Sequence, residues 1–433
     1  MIFRIFLSKS PTAFHAVENY RQILNADGFK ELLESEHWDI VPGGKYYVTR
    51  NNTSILAFKV GTKLDNYSFN IVTSHTDSPT FKVKENAEIE VKNKYTQLNT
   101  EGYGGMLCAT WLDRPLSIAG RVLVSEGNSI VTKLLNIDRD LLMIPNVAIH
   151  MNRAANDGFK YNLQVDMLPL LSAGDDRQKD FKQILADELG VKKEDILGHD
   201  LYLYNRMAPS IWGANEEFIS AGHLDDLQCG FASLKALLAG YNDESIDIMA
   251  CFDNEEVGSG TKQGADSTLL RDTLTRINSA LGKTEEDYYR ALASSFMLSS
   301  DNAHAVHPNH PEHTDATNCT YMNEGVVVKS HAGQKYTSDG VSMAVVKALA
   351  SGADVPLQYF ANRSDKAGGS TLGNIAMAQA SMNAVDIGLP QLAMHSSYET
   401  AGIKDTYYAI SLMKALFDSH IQETSTHSLE IKS

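Results

Sequence analysis

The stretch Cys251-Phe252-Asp253-Asn254-Glu255-Glu256-Val257-Gly258-Ser259 sets two adjacent carboxylates at the end of the apolar run Ile246–Phe252. That pattern reads as a buried strand delivering Glu255 and Glu256 to its C-terminal end. Paired carboxylates there are costly unless something compensates them, and a metal ion is the usual compensator. Neighbouring side chains point in different directions, so one glutamate can bind a metal while the other faces a water. A solvated loop start would carry the same two acids, so the chemistry depends on what else reaches the same place.

Three further segments share the feature. His75, Asp301 and His395 each follow an apolar, strand-like run. Open α/β sheets bind ligands beyond the carboxyl ends of their strands, so these residues are expected at one sheet edge. Asp225 joins them from the expected first turn of a helix, where a carboxylate also suits the helix dipole. One glutamate, two aspartates and two histidines make a mixed nitrogen and oxygen set without a thiolate, which suits zinc, manganese or cobalt. Two divalent ions can share it if one carboxylate bridges them.

The elements that must position these residues fall into two textures. Before Pro79 a helix is expected from Ser10, with Ser10 as N-cap and Pro11 at the first helical position. Strands are expected at 45–48, 54–60 and 67–74. From about Lys82 to Arg206 short alternating segments (87–91, 116–124 and 147–150 among them) predict a mostly β insertion, with one helix at 176–189. From Ala221 helices and strands alternate. Helices are expected from Leu224 and near 265–281, 338–349, 375–382 and 405–417, with strands at 246–252, 296–299, 325–329, 355–359 and 392–394. That order predicts an α/β fold, a mixed sheet flanked by helices. The expected division is a catalytic domain in two parts, 1–85 and 211–433, around an inserted β-rich domain at 86–210. The tail 423–433 is polar and is expected to fray.

Composition narrows the function. The chain has 433 residues, 43% hydrophobic and 21% charged, as in soluble globular proteins, and its length suits two or three modules. A net charge of -16 argues against nucleic-acid partners and anionic membrane surfaces. Arg4 interrupts the short apolar start and no cleavage pattern follows, so no signal peptide is expected. No run approaches a membrane span. The four cysteines are dispersed, which fits a reducing cytoplasm. There is no H-E-x-x-H, no Walker-type lysine motif and no dinucleotide fingerprint.

Five motifs together carry a resemblance. Ser74-His75-Thr76-Asp77-Ser78-Pro79, Leu224-Asp225-Asp226, the 252–259 stretch, Ser300-Asp301-Asn302-Ala303-His304-Ala305-Val306-His307-Pro308-Asn309 and Ala393-Met394-His395-Ser396 resemble the aspartyl aminopeptidase family of dinuclear zinc exopeptidases. The match runs from Ser10 almost to the C-terminus. The resemblance implies that His75 and Asp301 hold one metal, Glu256 and His395 the other, and that Asp225 bridges them. It makes Glu255 the general base and Asp77 the support of His75. It implies substrate contacts at His150, His304, Lys329 and Tyr336, with His150 presented to a neighbouring subunit. It further implies peptide substrates with N-terminal Asp or Glu, two zinc ions (manganese or cobalt being alternatives), a dimerising insertion and a homo-oligomer, a dodecamer built from dimers. One departure is Asp226, where the family usually has Asn.

Other residues stay outside that reading. His307, His310 and His313 are spaced like ligands, but Pro308 and Pro311 break any helix, so they are expected in a loop and not on one helical face. Gly368-Gly369-Ser370-Thr371-Leu372-Gly373 precedes a helix and can present backbone N–H groups or serve as a tight connection. The rival functions are a related acyl-amino-acid hydrolase or carboxypeptidase, and a non-catalytic scaffold.

Overall fold

The computed structural model describes residues 2–174, 180–426 and 428–432. Its centre is a nine-stranded mixed sheet in the order Lys30–Glu31, Lys45–Arg50, Ser54–Val60, Ser245–Phe252, Ser68–His75, Phe296–Ser300, Asn383–Gly388, Val326–Ser330, Leu357–Ala361. The Ser245–Phe252 strand is buried along its whole length. Ile246, Ile248, Ala250 and Phe252 pack into one core while Met249 and Cys251 pack into another. A strand covered on both faces reads as a nearly continuous apolar run, here interrupted by Asp247, and that run marks it in the sequence. Helices Ala13–Ala26, Leu224–Ala239, Gly340–Gly352 and Ile403–Phe417 contribute to the first core. Leu269–Ala280 and Leu372–Gln379 contribute to the second. The mixed α/β sheet with helical layers is the architecture that the alternation of elements predicted.

A six-stranded antiparallel sheet draws all its strands from residues 80–205 and encloses its own core around Trp111, Phe81 and Leu201. Its helix is Phe181–Leu189, capped by the Asp180 side chain; positions 176–179 of the expected helix lie outside the described residues. A five-stranded sheet joins Ser210–Trp212, Phe218–Ala221, Glu399–Gly402, Pro390–Leu392 and Ala303–His304. Among the described residues no helix is long and apolar enough to cross a membrane.

Several local expectations are corrected. The first long helix starts at Ala13 with Thr12 in the N-cap position, because Ser10 instead bonds back to the Phe6 carbonyl of an additional helix, Ile2–Ser8. Residues 147–148 are irregular and 149–150 form a turn, so no strand forms there. The strand expected at 392–394 ends at Leu392. The C-terminal tail does not fray: His420–Ser425 and Ser428–Lys432 pair as a ribbon, with Ile421, Leu429 and Ile431 packed on the main core and Ser433 outside the described residues.

Candidate metal centre

Three adjacent parallel strands account for half of the cluster. Ser245–Phe252 and Phe296–Ser300 flank Ser68–His75, in a register that sets Phe252 opposite His75 and Ser299 opposite Thr73. The residues just past these ends are therefore brought together: His75, Glu255 with Glu256, and Asp301. Asp77 locks the join. Its carboxylate accepts the backbone N–H groups of Glu255 and Glu256, both at 3.1 Å, and the Tyr103 hydroxyl at 2.7 Å.

The other half comes from elsewhere, which corrects the single-edge expectation. His395 follows a strand of the five-stranded sheet, and Asp225 sits in non-helical backbone (φ -82°, ψ 108°) at the head of Leu224–Ala239, not in a regular first turn. Glu399 holds both. Its buried carboxylate accepts the N–H of Asp225 at 3.0 Å and of His395 at 2.8 Å. Sequence reasoning missed Glu399. The only signal was an acid opening a short strand.

Asp225 lies between the halves. Its Oδ1 is 3.4 Å from His75 Nε2, and its Oδ2 is 3.6 Å from His395 Nε2. His75 Nε2 is 3.8 Å from Asp301, and His395 Nε2 is 3.2 Å from Glu256. The Nδ1 atoms face carbonyl oxygens, Asp77 O at 3.1 Å and Gly105 O at 3.0 Å. A carbonyl only accepts, so each Nδ1 carries a proton and each Nε2 is the ring nitrogen aimed into the cluster.

The donor set fits divalent metal. His75, Asp225, Asp226 and Asp301 converge as one group, and Asp225, Glu256 and His395 as another. Two ligands about 2.0–2.1 Å from one tetrahedral zinc lie roughly 3.3–3.4 Å apart, close to the separations across Asp225. Among the described residues, Asp225 Oδ1, Asp226 Oδ1 and Glu256 Oε1 are buried with no hydrogen-bond partner, a costly state that a cation relieves. The electrostatics agree. Burial pushes Glu255 up to about 8, and burial together with Asp301 and Asp225 holds Asp226 above the carboxylate range. Burial lowers the pKa of His75, but Asp225, Asp301 and Asp77 outweigh it and hold the imidazole above its ordinary value. Such a carboxylate excess around two histidines calls for positive charge.

A family model for the aminopeptidase I zinc metalloproteases (M18) matches residues 6–417. The chain belongs to this family. It is accordingly a zinc-dependent aminopeptidase, a hydrolase. A probable M18 family aminopeptidase 2 of Clostridium novyi is 48% identical over 95% of this chain and 97% of its own. One of Stutzerimonas stutzeri is 39% identical over 96% of both. Among solved structures, the Ape4 and Nbr1 complex matches with a TM-score of 0.93 at 35% identity, covering 96% of this chain and 85% of that one. The S. cerevesiae mApe1 dodecamer matches at 0.83 and 28% identity, covering 96% and 95%.

The remaining M18 candidates are spread around the cluster. Lys329 is buried; its ammonium donates to the Asn302 carbonyl at 3.0 Å, lies 3.7 Å from Asp301 and sits over the Tyr336 ring at 5.6 Å. Tyr336 is itself buried against Ala303, Val327 and Phe360. His304 is exposed, its ring edge-on to Phe360. Thr371, from the glycine-rich connection, donates to Asp301 at 2.6 Å through its hydroxyl rather than its backbone. His150 lies exposed in the 145–166 segment, and among the described residues no hydrogen bond or ion pair joins it to the cluster.

Proposed function

We propose that this chain is a dinuclear aminopeptidase that releases N-terminal residues, preferentially Asp or Glu, from peptides. The observation that carries the reading is Asp225, whose two oxygens face two different histidines. His75 and Asp301 would hold one ion, Glu256 and His395 the other, with Asp225 shared between them; zinc is the ion the family description names. When bound, two such ions acidify a water and polarise the scissile carbonyl. Glu255 takes the proton from the attacking water at its carboxylate and passes it to the leaving amine, the task of a general base. Asp77 positions Glu255 and Glu256 through their backbone N–H groups and orients His75 through its carbonyl.

Lys329 supports the acidic preference. It supplies positive charge 3.7 Å from Asp301, with Tyr336 beside it and His304 as further proposed substrate contacts. His150 completes the site of a neighbouring subunit. Supporting this, Val147, Ile149, Met151 and Val165 are exposed apolar side chains on the same segment, Met151 at 84%. The proposed assembly is a homo-oligomer, a dodecamer built from dimers, and the dodecameric structure of a relative supports it. Four free cysteines fit a cytoplasmic setting.

The test is hydrolysis of Asp-, Glu-, Leu- and Lys-anilides by wild type and Glu255→Gln, with and without chelator. Cleavage of the acidic substrates that chelator abolishes and that folded Glu255→Gln lacks is expected. A Leu or Lys preference overturns the role of Lys329, and an active Glu255→Gln overturns the general base.

A further inference from the structure

The prolines at 308 and 311 exclude an α-helix through the three spaced histidines, yet the histidines do share a face. Pro311–His313 is a 3-10 turn, with Pro311 at its first position, where a missing N–H costs nothing. The His310 N–H bonds to the His307 carbonyl at 3.0 Å, and the His313 N–H bonds to the His310 carbonyl at 3.2 Å. This is an i to i+3 repeat, which eclipses side chains three apart. The rings stack in consequence. His307 and His310 have centroids 5.3 Å apart at 35°, and His310 and His313 have centroids 5.5 Å apart at 31°. No α-helix forms here, as the prolines require, but the 3-10 turns still bring the rings together.

Glu312 closes the group. Its Oε1 is 3.1 Å from His310 Nδ1 and 4.0 Å from His313 Nε2, and one ligand atom from each of the three residues lies within 4.8 Å of the others. Arg363 donates to the Glu312 carbonyl and pins the turn. His307 is not a donor to this group. Its Nδ1 accepts from the Asn309 N–H at 3.2 Å, so its proton resides on Nε2.

We infer that His310, Glu312 and His313 form a peripheral site for a borderline divalent transition-metal ion, separate from the buried cluster. Two imidazoles and one carboxylate select zinc, copper or nickel over magnesium or calcium, which prefer all-oxygen sets. All three side chains are more than half exposed, at 58%, 58% and 63% for His310, Glu312 and His313. Water fills the remaining coordination positions, and the ion exchanges faster than one in the buried centre. His307 acts as the stacked wall that fixes the His310 ring.

The experiment compares the full-length enzyme with a His310→Ala, His313→Ala double variant. Both are equilibrated by dialysis against zinc chloride, and the bound zinc is counted by mass spectrometry. The double variant is expected to lose one zinc per subunit while cleaving the test anilide at the wild-type rate, which also shows that it is folded. Glu312→Gln is expected to need more zinc for the same occupancy. Because the readout is a difference between variants, it does not depend on how many ions the buried centre holds. Equal zinc content in wild type and double variant overturns the site, as does magnesium displacing the extra zinc at equal concentration.

Discussion

On one side of the buried cluster His75, Glu255, Glu256 and Asp301 are set by strand register in the main sheet; on the other, Asp225 and His395 are set by irregular backbone. The strand side is rigid because three buried strands fix its ends before any side chain acts. The other side depends on one carboxylate, Glu399, reaching two backbone N–H groups 170 residues apart in the chain. Ligands on regular elements are located by hydrogen-bonded pairing, whereas ligands on turns need a dedicated support that costs burial of a charge. That cost is visible at Glu399, which burial and the neighbouring Asp225 push up to about 8.

The contrast can be broken at its hinge. Asp225→Ala removes the residue common to both halves, and activity is expected to fall to background with loss of bound zinc from both positions, read by metal analysis. Asp77→Asn and Glu399→Gln separate the halves. Each is expected to cost about 10–100-fold in metal affinity or activity, the usual effect of losing a group that orients a ligand. The distinction lies in which ligands lose their support: Glu256, with the base Glu255, for Asp77→Asn, and Asp225 with His395 for Glu399→Gln. The same side chains displaced in crystal structures of both variants would merge the two halves into one unit.

Stability sharpens the same comparison. Ile248→Ala, in the middle of the buried strand, is expected to cost about 2–5 kcal/mol and to lower the thermal midpoint without altering substrate preference. The smallest effect is a pH dependence from the same strand. Asp247 is buried, accepts hydrogen bonds from Asn70 and Ser245, and is pushed by burial up to about 8. Its folded-state pKa lies above the unfolded value of roughly 3.9, so the folded state holds the proton more tightly. The contribution of Asp247 to stability is fullest below about pH 4 and declines as pH rises towards 8. Asp247→Asn is expected to remove that decline, so its thermal midpoint gains on the wild type between pH 5 and 8. A constant difference across that window would refute the assignment.

The strand side was legible in the sequence because continuous apolar runs ending in acids or histidine betray buried parallel strands and their ends. The loop side was only partly legible. His395 and Asp225 were picked out by residue type and by resemblance, but Asp225 was expected in a regular helical turn and His395 at the main sheet's edge, since a three-residue strand such as Pro390–Leu392 has too few positions to show a period. Asn383–Gly388, a central strand, went unrecognised because Asn, Asp and Gly dilute its pattern. Its Asp386 is accommodated by Thr337, a tertiary contact that local pattern does not carry. Glu399 was invisible for the same reason, and the histidine stack because the prolines that exclude an α-helix permit a tighter one.

The central claim is that two ions share Asp225, and the most direct measurement is anomalous diffraction at the zinc edge from crystals of the wild-type enzyme. Two peaks are predicted, one contacted by His75 and Asp301, the other by Glu256 and His395, with one oxygen of Asp225 on each. A single peak, or two peaks of which only one touches Asp225, would contradict the account.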